Sequence, residues 1–185
     1  MRSIGYFIVT LTVCFTASAA APQFSEIARY ADGSIRLMNQ PDAESYCKAQ
    51  DMHLPSAREL AQLSQSLGAF GIINSVPAVR VKGWELIKNN QAIYYRSNDV
   101  YLKNGVHLLY VKNGSSSVDS FYFNPQGYTR PTGDFGKNWY WSSSVNLNNE
   151  SYHSVLNGYD GDITYTNRKV NAVICSAGLN SDQVN

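Results

Sequence analysis

Two aspartates near the carboxyl end of the chain, Asp160 and Asp162, are the residues whose type and spacing most directly suggest chemistry. A pair of carboxylates can act as acid and base in glycoside hydrolysis if the two groups face each other across a cleft. With Asn157 they could also form a weak calcium site, although calcium takes six or more oxygen ligands and usually several carboxylates. Because Asn157-Gly158 and Asp160-Gly161 are typical turn sequences, we expect a solvated turn with no metal and no cofactor.

The other residue types that carry out catalysis lack the spacing that catalysis or metal binding requires. His53, His107 and His153 are far apart in the sequence, with no pair four residues apart, whereas zinc ligands are normally more closely spaced. No Gly-x-Ser-x-Gly nucleophile motif occurs. These observations favour a binding protein over an enzyme, and a glycan- or cell-wall-acting hydrolase that uses Asp160 and Asp162 is the alternative.

Tyrosine is the most distinctive feature of the composition, with thirteen in 185 residues. Seven of them lie in residues 81–140, among Ser, Gly and Asn. This mixture is typical of adaptable binding loops, because a rigid amphipathic ring provides contact area at low entropic cost. Tyrosine also favours β-strands, and both explanations predict the same residues.

The amino-terminal residues 1–20 have the pattern of a signal peptide. Arg2 precedes a short apolar run over residues 4–13, and the small residues 17–21 offer a cleavage site. The run is too short to span a membrane comfortably. Residues 11–14 resemble a lipidation motif, but Val13 stands where a small residue is expected, so we do not expect a lipid on Cys14.

Export would leave one domain, residues 21–185, with a core over about residues 27–177 and two cysteines. Cys47 and Cys175 are the cysteines that remain, and an oxidising compartment then implies one disulfide between them. Arg2 is the only charged residue of the signal, so the rest of the chain carries equal numbers of basic and acidic residues. This balance gives no long-range attraction to nucleic acid or to an anionic membrane.

The elements predicted from the sequence are a hairpin, two helices and a series of strands. Asp32-Gly33 predicts the turn of a hairpin over residues 24–38. The first helix begins at residues 41–45 and carries Ala43, Tyr46 and Cys47 on one face. Ser56 and Glu59 form a capping box that begins the second helix, for which the expected buried stripe is Leu60, Leu63 and Leu67. Gly68 is the expected end of this helix.

Several later segments are predicted as strands from their β-prone residues and the turns between them. They are residues 92–95, 106–111, 118–123, 139–144, 152–156 and 170–175. An Asn-rich loop over residues 146–149 separates two of them, and Asn157-Gly158 forms the next turn.

Two compact motifs resemble those of bacterial C-type-lectin-like domains, of the type found at the carboxyl end of collagen-like bacterial adhesins. The first motif is Leu54-Pro55-Ser56 followed by Glu59-Leu60, shortly after Tyr46-Cys47. The second is Tyr140-Trp141-Ser142-Ser143, followed by Val173-Ile174-Cys175. The tip domains of intimin and invasin are more distantly similar.

The resemblance implies an α+β, C-type-lectin-like fold with two helices packed on small antiparallel sheets and a long loop region over about residues 82–137. It implies that a disulfide joins the first helix, at Cys47, to the last strand, at Cys175. Trp139 and Trp141 lie on one predicted strand, and because side chains alternate along a strand we expect one of them to face the core. Trp141 matches a core position of the family, which leaves Trp139 outward. The carboxylates of the calcium-dependent sugar site of animal lectins are not matched, because Asn124-Pro125-Gln126 lacks one and Trp141-Ser142-Ser143 replaces the other motif.

We therefore expect an exported, non-enzymatic bacterial adhesion domain that binds a glycan or a surface protein through its long-loop face. Its location would be secreted, periplasmic or at the cell surface, and its oligomeric state is left open. A structural tip or assembly module is a further alternative. The expected ligand-binding residues lie on neighbouring loops and strand ends of the implied fold: Trp139, Asn148, Tyr152, Asp160 and Asp162.

Overall fold

The described part of the chain has an α+β architecture in which two helices precede eight strands. The computed structural model describes residues 23–69, 72–75, 92–96, 99–102, 107–113, 117–123, 129–146, 148–159, 161–166 and 169–177. The elements are α1 (Gln40–Lys48), α2 (Ala57–Ser66), β1 (Ile72–Ser75), β2 (Ala92–Arg96), β3 (Asp99–Leu102), β4 (His107–Asn113), β5 (Ser117–Phe123), β6 (Trp139–Asn146), β7 (His153–Asn157) and β8 (Ile163–Tyr165). The predicted signal peptide and Asp160 lie outside the described residues.

Helix α1 begins close to the predicted position and is capped by its own sequence. The Asn39 Oδ1 atom accepts a hydrogen bond from the Asp42 backbone N–H at 2.8 Å, which satisfies one of the free donors of the first turn. Pro41 suits this turn because it has no N–H to satisfy. The predicted face is confirmed, since Ala43 and Cys47 are fully buried and Tyr46 is partly buried.

Helix α2 begins with the predicted capping box. The Ser56 side chain accepts from the Glu59 N–H, and the Glu59 carboxylate accepts from the Ser56 N–H. The predicted stripe is wrong at Leu67, which is 43% exposed, and Leu63 is only partly buried.

The buried face of α2 consists mainly of small side chains: Ala57, Leu60, Ala61 and Ser64. Successive helical positions rotate by about 100°, so Leu67 lies at the edge of a face centred on these residues. It also lies beyond the last helical residue, Ser66. Small residues allow α2 to approach strands β6 and β7 closely.

All eight strands pair antiparallel in one sheet whose main order is β1-β5-β4-β6-β7-β8. Strand β4 pairs with β5 along its whole length. On its other edge it pairs first with β3, through residues 107–109, and then with β6, through Val111 and Lys112. The segment expected as a long loop region therefore contributes four strands to the sheet, and three of them agree with predicted segments.

The predicted amino-terminal hairpin is confirmed around its turn. Gly33 has a φ of +84°, and Arg29 bridges to Ile35 across the turn. The predicted last strand is instead an extended segment that makes isolated bridges. It joins Met38 through Asn171, β6 through Ala172, and residues 24 and 53 through Ser176. The two ends of the described chain thus meet beside β6.

The serines of β6 connect the sheet to the start of α2. The Ser144 hydroxyl accepts from the Ala57 N–H at 2.9 Å, and the Ser143 N–H donates to the Pro55 carbonyl oxygen at 2.9 Å. The hydroxyls of Ser142 and Ser154 are 2.5 Å apart across β6 and β7. These bonds pair buried polar atoms that would otherwise lose hydration without compensation.

Two groups of buried side chains form the core on either side of the carboxyl-terminal segment. One contains Leu60, Val111, Tyr140, Leu156 and Ile174. The other surrounds the Cys47–Cys175 disulfide, which confirms the predicted pairing and joins α1 to the carboxyl-terminal segment.

Candidate functional site

The structure does not bring the predicted ligand-binding residues together. Strands β6 and β7 form a hairpin in which Trp139 lies opposite Asn157 at one end and Val145 lies opposite His153 at the other. The partners of these residues on β7, His153 and Asn157, are four residues apart, which corresponds to about 13 Å, and β6 is irregular between Trp141 and Val145. Trp139 therefore lies at one end of the hairpin, and the loop that carries Asn148 and Tyr152 lies at the other.

The outward orientation expected for Trp139 is wrong. Its side chain is partly buried and packs against the core group that contains Trp141 and the disulfide. The reason is the period of two in a strand, which places residues 139 and 141 on the same face. The burial of Trp141 is confirmed, since it is 4% exposed and its Nε1–H donates to the Met38 carbonyl oxygen at 2.7 Å.

Asp162 lies in the turn between β7 and β8, at the Trp139 end of the hairpin. Its carbonyl oxygen accepts from the Asn157 N–H at 2.8 Å, and the side chain of Asp162 is partly buried. Asn157 is itself buried, and its Oδ1 accepts from the Tyr159 N–H at 3.1 Å. Asp160 lies outside the described residues, and the predicted carboxylate pair stays a prediction.

A cleft of about 490 Å³ opens at the other end of the hairpin, where Tyr152 lies. Its volume is within the range of about 300–1,000 Å³ that is usual for small-molecule sites. Three segments form its walls: the start of α1, the strands β6 and β7 with the loop between them, and the chain after β8. The lining residues are Asn39, Gln40, Pro41, Trp141, Ser151, Tyr152, His153, Thr166 and Lys169.

Aromatic and amide side chains dominate the chemistry of this cleft. Tyr152 is 47% exposed, so about half of its surface is open to solvent or to a ligand. Trp141 contributes a buried aromatic surface, and its indole N–H already donates to the Met38 carbonyl oxygen. The Gln40 amide donates to the Glu44 carboxylate, which fixes the orientation of this side chain.

His153 brings an imidazole to the cleft. Its ring packs edge-on against Trp141, with 6.4 Å between the ring centroids. The Nδ1 atom is buried and has no hydrogen-bond partner among the described residues. Burial lowers the pKa of His153, and the Glu44 carboxylate opposes this only in part, so the imidazole is neutral at neutral pH.

The loop that carries Tyr152 is fixed by its own asparagines. The Asn146 Oδ1 atom accepts from the backbone N–H groups of Asn148 and Asn149 at 2.8 and 3.2 Å. The Asn149 Oδ1 atom accepts from the Ser151 N–H at 3.1 Å. These turns explain why the loop is rich in asparagine, and they hold Tyr152 at the mouth of the cleft.

Another polar cluster, formed by His53, Glu59 and Ser176, contains the residue types of a catalytic triad but not its geometry. His53 Nε2 and the Ser176 hydroxyl both bond to the Glu59 Oε1 atom, at 3.1 and 2.7 Å. A nucleophile would need its hydroxyl on the histidine, which acts as the base. The cluster instead joins the first turn of α2 to the carboxyl-terminal segment.

The described residues offer no cluster of metal ligands and no membrane-spanning helix. No group of three or more His, Cys, Asp or Glu side chains is arranged to hold a metal ion there. No helix among them has the length and apolar character that crossing a membrane requires.

Tyr152 lines the cleft and was predicted from the sequence as a ligand-binding residue, whereas none of the other lining residues was predicted in that role. Asn39 and Gln40 stand just before the predicted start of the first helix. Lys169 lies more than 120 residues later in the sequence. No local signal joins positions so far apart, because only the tertiary fold brings them together.

A comparison of this chain with protein-family models, with curated proteins and with solved structures found no significant match.

Proposed function

We propose that this chain is an exported, non-enzymatic binding domain of C-type-lectin-like fold that recognises a glycan or a surface protein. The support for the fold is the arrangement of two helices, an antiparallel sheet and a disulfide between α1 and the carboxyl-terminal segment. The same arrangement is implied by the resemblance to the bacterial C-type-lectin-like domains of adhesins. A crystal structure of residues 21–185 would test this assignment.

The observation that carries the proposed function is the cleft with Tyr152 exposed at its mouth. Binding surfaces are enriched in aromatic residues whose rings offer large contact areas, and amide and hydroxyl groups then select the orientation of the ligand. The cleft offers both, through Tyr152 and through Gln40, Ser151 and Thr166. Of the residues predicted from the sequence, Tyr152 lines the cleft and Asn148 lies in the same loop, whereas Trp139 and Asp162 lie at the far end of the hairpin.

The test uses residues 21–185 with the disulfide formed, on a glycan array and in pull-downs with bacterial cell-wall material. Tyr152→Ala should weaken binding by about 1–3 kcal/mol, because it removes an exposed ring that a ligand would cover. Tyr30→Ala is the matched control, since Tyr30 is also an exposed tyrosine but lies on the amino-terminal hairpin, next to Arg36.

Two results would contradict the proposal. If the wild-type protein retains neither a glycan nor a surface protein, the proposed binding function is wrong. If Tyr152→Ala and Tyr30→Ala lose the same amount of binding affinity, the cleft is not the binding site. Release of reducing sugar ends from the same cell-wall material would favour the hydrolase alternative.

A further inference from the structure

We propose that Arg130 and Tyr159 form a contact site for an acidic segment of a partner protein, with a carboxylate of the partner bound to the Arg130 guanidinium. Tyr159 lies two residues after the end of β7, and Arg130 lies in the segment that leads into β6. The site is therefore at the Trp139 end of the hairpin, away from Tyr152. It goes beyond the proposed function, because it is a second surface with a protein partner of stated chemistry.

The Arg130 side chain is held in place along its whole length. Its Cζ atom lies 3.6 Å from the centroid of the Tyr159 ring, so the guanidinium is in contact with one face of the ring. The stem of the side chain passes close to Gly136, where an added Cβ would lie only 2.9 Å from Arg130 Cγ. A side chain that is already ordered loses less conformational entropy when a partner binds it.

The turn that carries Tyr159 is fixed to the same segment by backbone bonds. The Gly158 N–H donates to the Asn138 carbonyl oxygen at 2.8 Å. The Tyr159 N–H donates to the Asn157 Oδ1 atom at 3.1 Å. The ring and the guanidinium are therefore positioned relative to each other before any partner arrives, which favours binding.

The guanidinium of Arg130 is available to a partner. The nearby Asp134 carboxylate is already engaged by Arg29 at 2.6 Å and by Lys137 at 3.3 Å. The Arg130 side chain makes no ion pair and no hydrogen bond with the described part of the chain. A guanidinium has a planar fork of N–H groups that matches a carboxylate with two parallel hydrogen bonds, so an Asp or Glu side chain is its complementary ligand.

The exposure of both side chains favours a protein as the occupant. Tyr159 is 58% exposed, and Arg130 is exposed as well. A small-molecule site is concave and buries most of its ligand, which two such exposed side chains do not. Tyrosine and arginine are enriched among the residues that contribute most to protein–protein binding, where the partner itself covers them.

The experiment titrates the ¹⁵N-labelled protein with synthetic peptides and follows it by NMR. The probes are a peptide of ten glutamates, a peptide of ten glutamines and inorganic phosphate. We expect the glutamate peptide, at about millimolar concentration, to shift the Arg130 Nε–H and the Tyr159 backbone N–H, and the glutamine peptide to shift neither. The affinity for the glutamate peptide should fall as salt rises from about 20 to about 300 mM, because the contact is an exposed ion pair.

Variants separate the guanidinium fork from simple positive charge. Arg130→Gln should lower the affinity for the glutamate peptide by about tenfold, read from the Tyr159 N–H. Arg130→Lys should lower it by about threefold or more, because an ammonium keeps the charge but not the two parallel bonds. Arg36→Gln is the matched control, since Arg36 is also exposed and lies beside two tyrosine rings, at 5.8 and 5.7 Å from their centroids. It should keep the affinity within about twofold, because its charge is outside the site.

Three results would overturn the contact site. One is the absence of any shift at the Arg130 Nε–H with the glutamate peptide. Another is an equal loss of affinity in Arg36→Gln and Arg130→Gln, which would indicate general attraction to positive charge. The third is an equal shift with phosphate at the same concentration, which would indicate a site for free anions. Loss of glycan or cell-wall binding in Tyr152→Ala concerns the cleft alone, so failure of the contact site and failure of the proposed function are distinguishable.

Discussion

Removing the Cys47–Cys175 disulfide should be among the most destabilising changes that the fold allows. The two cysteines are 128 positions apart, so the bond closes a loop that contains α2 and all eight strands. The chain-entropy relation gives about 5 kcal/mol at 25 °C for a loop of this length. Natural domains have stabilities of about 5–15 kcal/mol, so the loss is a large share of the total.

The assay is equilibrium unfolding in urea of wild-type protein and the double variant Cys47→Ala, Cys175→Ala. With an m-value of about 2 kcal/mol per molar urea, a loss of 5 kcal/mol shifts the midpoint by about 2.5 M. Alanine is the appropriate replacement because both sulfurs are fully buried, and a serine hydroxyl there would need a partner. Peptide mapping of the wild-type protein without reductant should recover the linked pair.

A loss below about 1 kcal/mol with the linked pair present would refute the reasoning. It would mean that the unfolded chain is already compact enough for the bond to restrict it little. Two alkylatable thiols in exported wild-type protein would refute the disulfide itself.

Three further predictions test the core, the acid response and the role of metal. Trp141→Ala should lower the free energy of unfolding in urea by about 3–5 kcal/mol, because it empties a buried site. Trp139→Ala should lower it by about 1–2 kcal/mol, because Trp139 is only partly buried. A larger loss for Trp139→Ala than for Trp141→Ala would contradict the burial that we assign to the two rings. Burial lowers the pKa of His153 from its usual 6.5, so the folded protein disfavours the protonated imidazole. The stability that the neutral imidazole contributes is therefore complete above pH 6.5 and is lost as the pH falls through the pKa of His153 in the folded protein. His153→Gln should therefore remove the first acid-induced drop in the urea midpoint, and a wild-type midpoint unchanged down to about pH 5 would contradict the prediction. Hydrogen bonds lower the pKa of Glu59 from 4.5, despite its burial, so a second loss should follow below that pH and disappear in Glu59→Gln. The melting temperature should be equal in chelator and in millimolar calcium, because calcium requires more oxygen ligands than the predicted site offers; a rise of several degrees on adding calcium would contradict this.

Features set by neighbouring residues were predictable from the sequence. The capping box of Ser56 and Glu59 needs only four consecutive residues, and the turn at Gly33 needs only a positive φ. The pairing of Cys47 with Cys175 followed because the expected export removes the third cysteine. In each case a local rule or a count leaves a single solution.

The two errors have different physical causes. Leu67 has the hydrophobicity of a core residue, but it lies beyond the last helical residue and at the edge of the face that α2 buries. Trp139 was expected to point outward because side chains alternate along a strand, but alternation separates adjacent residues, and residues 139 and 141 share a face.

The cleft could not be predicted for a different reason, which lies in how its walls are connected. In each wall, a lining residue lies within two residues of a hydrogen bond that joins this wall to another. Asn39 follows Met38, whose carbonyl oxygen accepts from both Trp141 Nε1 and the Asn171 N–H, and Lys169 lies two residues before Asn171. Both bonds end on the Met38 carbonyl oxygen, and both join Met38 to segments more than 100 residues later in the chain. A cleft built on such a junction is held open by the core, and a ligand that enters it need order little beyond its own contacts.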